Sequence, residues 1–265
     1  MPLRTPFNHC QVPPWQLAAI EFQQNPVPLE LGDVLITDRK LWRKLDELTD
    51  RDARAWFFHD YLSVKFSLHA WSDLSHTAPA RNALRHSYVH CLRHWGVESN
   101  GPSGAALKHW VESRFGLRPT YHGGRLAEDE TARMKYVRDR VKGAAHTMGL
   151  FQQLDLLYTH SQRELVRQRG NERWLTLYRG THDSTDYWLQ NAPANGRRLL
   201  VELNNLSSFT EDPEVAWEFG SSVWRVQVPV PKVLCFPGIL PPQFLQGESE
   251  CLVLGGVYEV ERLSH

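Results

Sequence analysis

Three short stretches in the second half of the chain carry residue types that could do chemistry. In Gly247-Glu248-Ser249-Glu250, just before the apolar run Cys251 to Leu254, two carboxylates stand two residues apart. Side chains at that spacing on a strand share a face, so Glu248 and Glu250 project together while Ser249 points away. Adjacent carboxylates repel, which raises the pKa of one of them unless cations or donors relieve the pair. A carboxylate pair at a strand mouth suits reactions through an oxocarbenium-like centre, one group stabilising positive charge and the other managing a proton. A lone Glu-x-Glu is more commonly a solvated acidic turn at a sheet edge.

Leu177-Tyr178-Arg179-Gly180 places an arginine at the end of an apolar run, followed by glycine. A guanidinium there can fork onto a diphosphate, with Gly180 allowing close backbone approach. A surface arginine before a turn is the simpler account of that stretch alone. Leu206-Ser207-Ser208-Phe209-Thr210 puts the hydroxyls of Ser208 and Thr210 on one face of an extended segment, where they could bond a carboxylate or a ribose. Alone, this is a polar strand end before a helix.

Other candidates are weaker. His86, His90 and His94 recur at helical spacing, but no HExxH or cysteine pair accompanies them, so no metal is expected. His122-Gly123-Gly124-Arg125 follows no expected strand and fits neither phosphate-loop pattern; GxGxxG and GxSxG are absent. Thirty basic side chains balance thirty acidic ones, giving a formal net charge of zero, so no field of one sign steers the chain to nucleic acid or an anionic membrane. No run of about 18 apolar residues occurs, and the first residues lack the apolar core of a secretion signal. Cys10, Cys91, Cys235 and Cys251 are scattered, the last two inside apolar runs as small hydrophobes. A reduced, cytoplasmic protein is expected.

The elements that must position these residues fall into two stretches of a chain of 265 residues. Six prolines in the first thirty-odd residues suggest an irregular wrap. Helical spacing then runs to about Arg169: Leu41, Trp42, Leu45 and Leu48 behind an Asp38 cap; Trp56, Phe57, Tyr61 and Leu62; Leu107, Trp110, Val111 and Phe115 closed by Gly116; and Tyr136 to Leu165 with a break near Gly149. Beyond it come short apolar runs: Leu175 to Tyr178, Leu199 to Leu203, Val223 to Val230, Val233 to Phe236, Cys251 to Leu254 and Val257 to Val260. One helix interrupts them, capped by Asp212, opened by Pro213, with Val215, Ala216 and Phe219 as its apolar face and Gly220 at its end. The fold class is α+β: a mainly helical region 1–169, integral to the fold, on a strand-rich region 170–265.

The order Arg, Ser-x-Thr, Glu-x-Glu, each at a strand edge, resembles the R-S-E arrangement of the cholera-toxin-like, arginine-specific mono-ADP-ribosyltransferases. Val215-Ala216 and Phe219-Gly220 match the helix that follows the serine segment in that family. Ser208 keeps the first serine, whereas Phe209 and Thr210 depart from the Ser-Thr-Ser pattern. At whole-chain level the YRG, NNLSSFTEDP and GESECLVLGG stretches, and Ala105 to Trp110, are similar to the dinitrogenase reductase ADP-ribosyltransferases of nitrogen-fixing bacteria.

The resemblance implies a two-sheet ADP-ribosyltransferase core and NAD⁺ as co-substrate. It implies that Arg179 and Gly180 hold the diphosphate, that Ser208 orients Glu250 or contacts the nicotinamide-side ribose, and that Phe209 and Thr210 lie beside it at the cofactor. Glu250 would bond the ribose 2′-hydroxyl and stabilise the oxocarbenium-like state. Glu248 would hold the acceptor guanidinium and take its proton as the new bond forms, since a free guanidinium has a pKa above about 12. Phe244, in the loop Pro241 to Gly247, would face the protein target; a core aromatic pinning that loop is an equal alternative. The implied partners are dinitrogenase reductase as substrate, whose modification switches nitrogenase off, and a PII-type signalling protein as activator, with the helical region as its docking surface. The rivals are the same chemistry on another cytoplasmic protein, a retaining glycosidase built on the paired glutamates, and a binding module without activity.

Overall fold

The computed structural model describes residues 8–68, 87–144, 148–182, 188–189, 198–242 and 250–263. The proline-rich start is more regular than its composition suggests. It forms α1 (Pro14–Ala18) and α2 (Ile20–Gln24), with Pro14 at the first turn of α1, where its missing N–H costs nothing. Gln23 pins α2 to the strands: its amide donates to the carbonyls of Gln227 (3.0 Å) and Glu259 (3.1 Å) and accepts from the Glu259 N–H (2.8 Å).

Next come α3 (Val34–Thr37), α4 (Arg39–Glu47) and α5 (Arg51–Lys65). Asp38 does occupy the N-cap position of α4, but its side chain caps nothing. That carboxylate instead accepts from Tyr61 (2.7 Å) and Lys65, tying α4 to α5. On α5 the expected face is met in part: Leu62 is buried and Phe57 and Tyr61 pack against the core. Arg54, Ala55, Phe58, His59, Leu62 and Ser63 are buried, whereas Trp56 is 43% exposed. The buried face is wider than expected and includes Arg54, whose guanidinium meets a buried carboxylate, Glu164.

The helices α6 (Tyr88–Trp95), α7 (Pro102–Phe115), α8 (Glu130–Ala144) and α9 (Met148–Arg169) complete the helical part. The end of α7 is as expected: Gly116 takes the left-handed conformation (φ 71°) and donates to the Glu112 carbonyl. Gly149 lies inside α9 near its start; α8 is described to Ala144 and α9 from Met148, and residues 145–147 lie outside the described residues. Between α7 and α8, β1 (Thr120–Tyr121) and β2 (Gly124–Arg125) make a tight hairpin. A strand does therefore precede the His122-Gly123 turn, and both turn residues have positive φ (48° and 79°).

The remaining strands are β3 (Trp174–Thr181), β4 (Trp188–Leu189), β5 (Arg198–Thr210), β6 (Ser222–Pro229), β7 (Val233–Cys235) and β8 (Glu250–Leu263), with α10 (Pro213–Glu218) after β5. Two expected strands, Cys251 to Leu254 and Val257 to Val260, are one: β8 runs through Gly255 and Gly256 without a break. Likewise β5 does not stop at Leu203; it continues past a bulge at Asn204-Asn205 to Thr210. The order is β4-β5-β3-β6-β8-β7, and β5 also pairs with β8, so β3, β6, β8 and β5 close into a ring. One apolar core runs from Leu41 and Leu45 through Trp110, Phe115 and Tyr158 to Val233, Val253 and Tyr258. All four cysteines are buried and free, their apolar surroundings pushing the thiols of Cys91 and Cys251 up to about 12. The class is α+β, with the long helices before the ring of strands.

Candidate active site

The three sequence stretches meet where β3, β5 and β8 run side by side. Antiparallel pairing sets Thr210 of β5 opposite Glu250, the first residue of β8, and sets Ser208 opposite Leu252. Residues directly opposite point to the same face, so Ser208, Thr210 and Glu250 share one. Ser208 and Glu250 are diagonal neighbours, a relation that puts Cα atoms roughly 7–8 Å apart. On the other side Tyr178 of β3 pairs with Thr210, which brings Arg179 to the same strand end. Its guanidinium donates to the Ser208 carbonyl at 2.6 Å and lies 5.9 Å from the Phe209 ring centroid.

The candidate residues are held in different ways. Phe209 is buried at 3% exposure, its ring part of the core under the strand. Thr210 accepts from the Asp212 N–H (3.1 Å), and Asp212 in turn accepts from the Glu214 N–H (2.9 Å), so the pair bends the chain into α10. Gly180 has a packing reason as well as a place in the cleft. A Cβ there would lie 2.0 Å from the Ala216 carbonyl oxygen, and one at Gly220 would lie 2.2 Å from the Thr181 nitrogen. Glycine at both positions lets α10 lie against β3. Phe219, expected on the buried face of α10, is 49% exposed and borders the cleft. Glu248 and Phe244 lie outside the described residues; the loop is described as far as Pro241 and Pro242.

These residues border a cleft of about 720 Å³. Its floor is the strand end just described, with Arg179, Ser208 and Glu250; its opposite wall comes from the helical part, with Trp95, Asn100, Lys108, Arg118 and the His122 turn. That wall was not anticipated. Trp95, the last residue of α6, donates its indole N–H to the Ser208 hydroxyl oxygen at 2.9 Å. Lys108 is 1% exposed, donates to Asn100 Oδ1 (2.8 Å), and sits over the rings of Trp95 (5.8 Å) and Tyr121 (5.2 Å). Burial, with no carboxylate partner among the described residues, lowers its pKa to about 7. The Asn204-Asn205 bulge fastens the wall to the floor: Asn204 exchanges bonds with the Thr120 backbone (2.9 and 3.1 Å), and Asn205 donates to the carbonyls of Lys108 (2.8 Å) and Leu117 (3.1 Å).

Sequence periodicity carried part of this signal. Tyr88, Cys91, Leu92 and Trp95 mark a buried helix face, and Lys108 lies on the stripe of Gly104, Val111 and Phe115. The partner of Trp95 stands 113 residues away, beyond any local pattern.

Among the described residues, no group of three or more His, Cys, Asp or Glu side chains is placed to hold a metal ion. The His90 and His94 rings lie 3.9 Å apart, while His86 is outside the described residues. No described helix is long and apolar enough to cross a membrane.

Comparison with known proteins bears on the same site. The family model described as dinitrogenase reductase ADP-ribosyltransferase matches residues 7–262. The NAD(+)–dinitrogen-reductase ADP-D-ribosyltransferase of Rhodospirillum rubrum is 34% identical over 259 residues, spanning 96% of this chain and 93% of that protein. No solved structure matches. With nearly its whole length covered in both comparisons, the chain belongs to the dinitrogenase reductase ADP-ribosyltransferase family.

Proposed function

We propose that this protein transfers ADP-ribose from NAD⁺ to an arginine of dinitrogenase reductase and so switches nitrogenase off. Family membership supports the enzyme class. One observation carries the assignment of residues: Arg179, Ser208 and Glu250, separate in sequence, line a single cleft at one strand end. A cleft of about 720 Å³ falls within the usual range for small-molecule and cofactor sites, roughly 300–1,000 Å³. Arg179 and Arg118 bring positive charge to it for a diphosphate.

In this reading the ring of strands, one closed sheet rather than the two expected, is the NAD⁺-binding core, 170–265, and the region 1–169 is an integral support. NAD⁺ supplies a ribosyl carbon whose bond to nicotinamide breaks, the electron pair leaving on the ring nitrogen. Arg179 holds the diphosphate, with Gly180 beside it. Ser208, Phe209 and Thr210 border the nicotinamide end, and Ser208 orients Glu250. Glu250 accepts from the ribose 2′-hydroxyl and stabilises the positive charge that grows as the bond breaks. Glu248 holds the incoming guanidinium and accepts its proton while the new C–N bond forms, and Phe244 meets the target surface. The enzyme acts in the cytoplasm, and a PII-type protein activates it by docking on the helical region. Exposed Met134, Val137 and Val141 of α8 offer the positions to test: replacing Met134 and Val141 by glutamate should weaken PII binding, and unchanged binding removes α8 from that role.

The deciding experiment incubates the enzyme and a Glu250→Gln variant with labelled NAD⁺ and dinitrogenase reductase, then locates added mass by mass spectrometry. One modified arginine, absent with the variant, supports the reading. NAD⁺ cleavage without labelling of the reductase redirects the chemistry to another protein, and untouched NAD⁺, even with a PII protein present, refutes the catalytic assignment.

A further inference from the structure

We propose that Trp95 is a positioning residue for the transfer reaction, its indole N–H fixing the Ser208 hydroxyl so that the serine proton is directed into the cleft. The inference rests on the reading of Ser208 and Glu250 given above and extends it to a helix outside the strand core.

The argument starts from what an indole can do. Trp Nε1–H donates and cannot accept. In the 2.9 Å bond from Trp95 to Ser208, the serine oxygen is therefore the acceptor. The serine's own O–H is left to donate elsewhere, and the indole holds the oxygen so that this hydrogen cannot turn toward the α6 wall. On the face that Ser208 shares, the diagonal neighbour is Glu250, and the open volume beside both is the cleft. The hydroxyl is thus preset to donate to a carboxylate oxygen or to a ligand oxygen. Ser208 is also held from its other end, where Arg179 donates to its carbonyl at 2.6 Å.

Trp95 itself is fixed. The residue is 4% exposed at the end of α6, whose first turn is seated by the Tyr88 N–H on Gln153 (3.0 Å) and the Tyr88 hydroxyl on His59 (2.9 Å). The Lys108 ammonium lies over its ring. A buried aromatic with its only polar atom aimed at a reacting residue serves packing and orientation together, and the two roles separate by experiment.

Trp95→Phe keeps an apolar ring and deletes the donor. We expect kcat for ADP-ribose transfer to fall about fivefold while KM for NAD⁺ stays within about twofold, since losing one hydrogen bond costs on the order of 1 kcal/mol and each 1.4 kcal/mol is tenfold in rate. Ser208→Ala should lower kcat at least as much, and the double variant should match Ser208→Ala alone, because the indole then has nothing to orient. A benzothienylalanine installed at position 95 by amber suppression preserves the shape of the indole without its N–H; it should reproduce the Trp95→Phe loss with an unchanged melting temperature, and it replaces Trp95→Phe should that variant unfold. Losses that multiply in the double variant, or full activity with benzothienylalanine while Ser208→Ala is impaired, would show that Trp95 only packs. An undiminished Ser208→Ala would overturn the assignment of Ser208 itself, and the role of Trp95 with it.

Discussion

Two buried cations in the helical part are treated in opposite ways. At the α5–α9 interface Arg54, 6% exposed, makes a two-point ion pair with Glu164 (2.8 and 2.9 Å) and donates to the carbonyls of Leu48 and Thr49. Arg167 adds a further bond to Glu164 at 2.6 Å. Burial alone would raise the Glu164 pKa, but the bonds from Arg54 and Arg167 and the nearby positive charge carry it below the ordinary carboxylate value. In the cleft wall Lys108 is buried at least as deeply, and among the described residues only amide and carbonyl oxygens accept from it. The first charge is matched and permanent. The second is conditional: near neutral pH it is easily given up, and an anion in the cleft would favour it. Lys232 offers a control, fully buried on the Gly255 carbonyl (3.0 Å) and between the Phe22 and Tyr258 rings, likewise lowered to about 7, yet not bordering the cleft.

The comparison breaks most visibly in stability. Glu164→Ala leaves the Arg54 charge buried without its partner and should destabilise the fold by about 3–5 kcal/mol in urea unfolding. Lys108→Met exchanges an unmatched charge for an apolar chain of similar length and should change stability by less than about 1 kcal/mol. Equal losses would mean that the matched and unmatched sites do not differ.

A second consequence is a pH dependence of opposite edges. The folded lysine value, about 7 for Lys108 and for Lys232, lies below the ordinary 10.5, so between them the unfolded chain binds more protons. Their contribution to stability therefore rises with pH across that window and is poorest below 7. Glu164, held below its ordinary 4.5, contributes above that value and loses its contribution as pH falls through its folded pKa. Melting temperatures of the wild type and of Lys108→Met/Lys232→Met between pH 7 and 10 should diverge, the wild type gaining relative to the double variant as pH rises; parallel curves would remove the conditional charge from the account.

The smallest effect concerns the ligand. A charge within several ångströms of a diphosphate is worth roughly 1 kcal/mol after screening, so Lys108→Met should weaken NAD⁺ binding about fivefold at neutral pH. Lys232→Met should leave it within about twofold by calorimetric titration. Equal losses would trace the effect to the fold rather than to the cleft.

What the sequence disclosed, and what it hid, follows from the range of each signal. The faces of α4 and α7 are legible because helical packing repeats along the chain, and Asp212-Pro213 marks the start of α10 because capping is local. The single strand β8 is not legible, because Gly255-Gly256 reads as a break. There the glycines answer a neighbour instead: a Cβ on Gly255 would lie 1.9 Å from the Asn204 carbonyl oxygen. The bulge that presses on it hides the continuity of β5 in the same way. In the site, Arg179, Ser208 and Glu250 are recognisable by type and order, whereas Trp95 and Lys108 gain their meaning only from partners that folding brings to them.

One feature of the ring of strands bears on how the site holds together. Among the described residues β3 meets β5 at the single rung Tyr178–Thr210, whereas β3 meets β6 along eight consecutive rungs, Trp174–Pro229 to Thr181–Ser222. The ring therefore has a seam, and the seam passes through the candidate site. Backbone amides flanking Thr210 should exchange faster than those along the β3–β6 pairing, and a ligand held by Arg179 on one side and Glu250 on the other would act as a stitch across the seam. Binding would then tighten the ring from its weakest line, and a substrate analogue that engages only one side would leave the seam as it was.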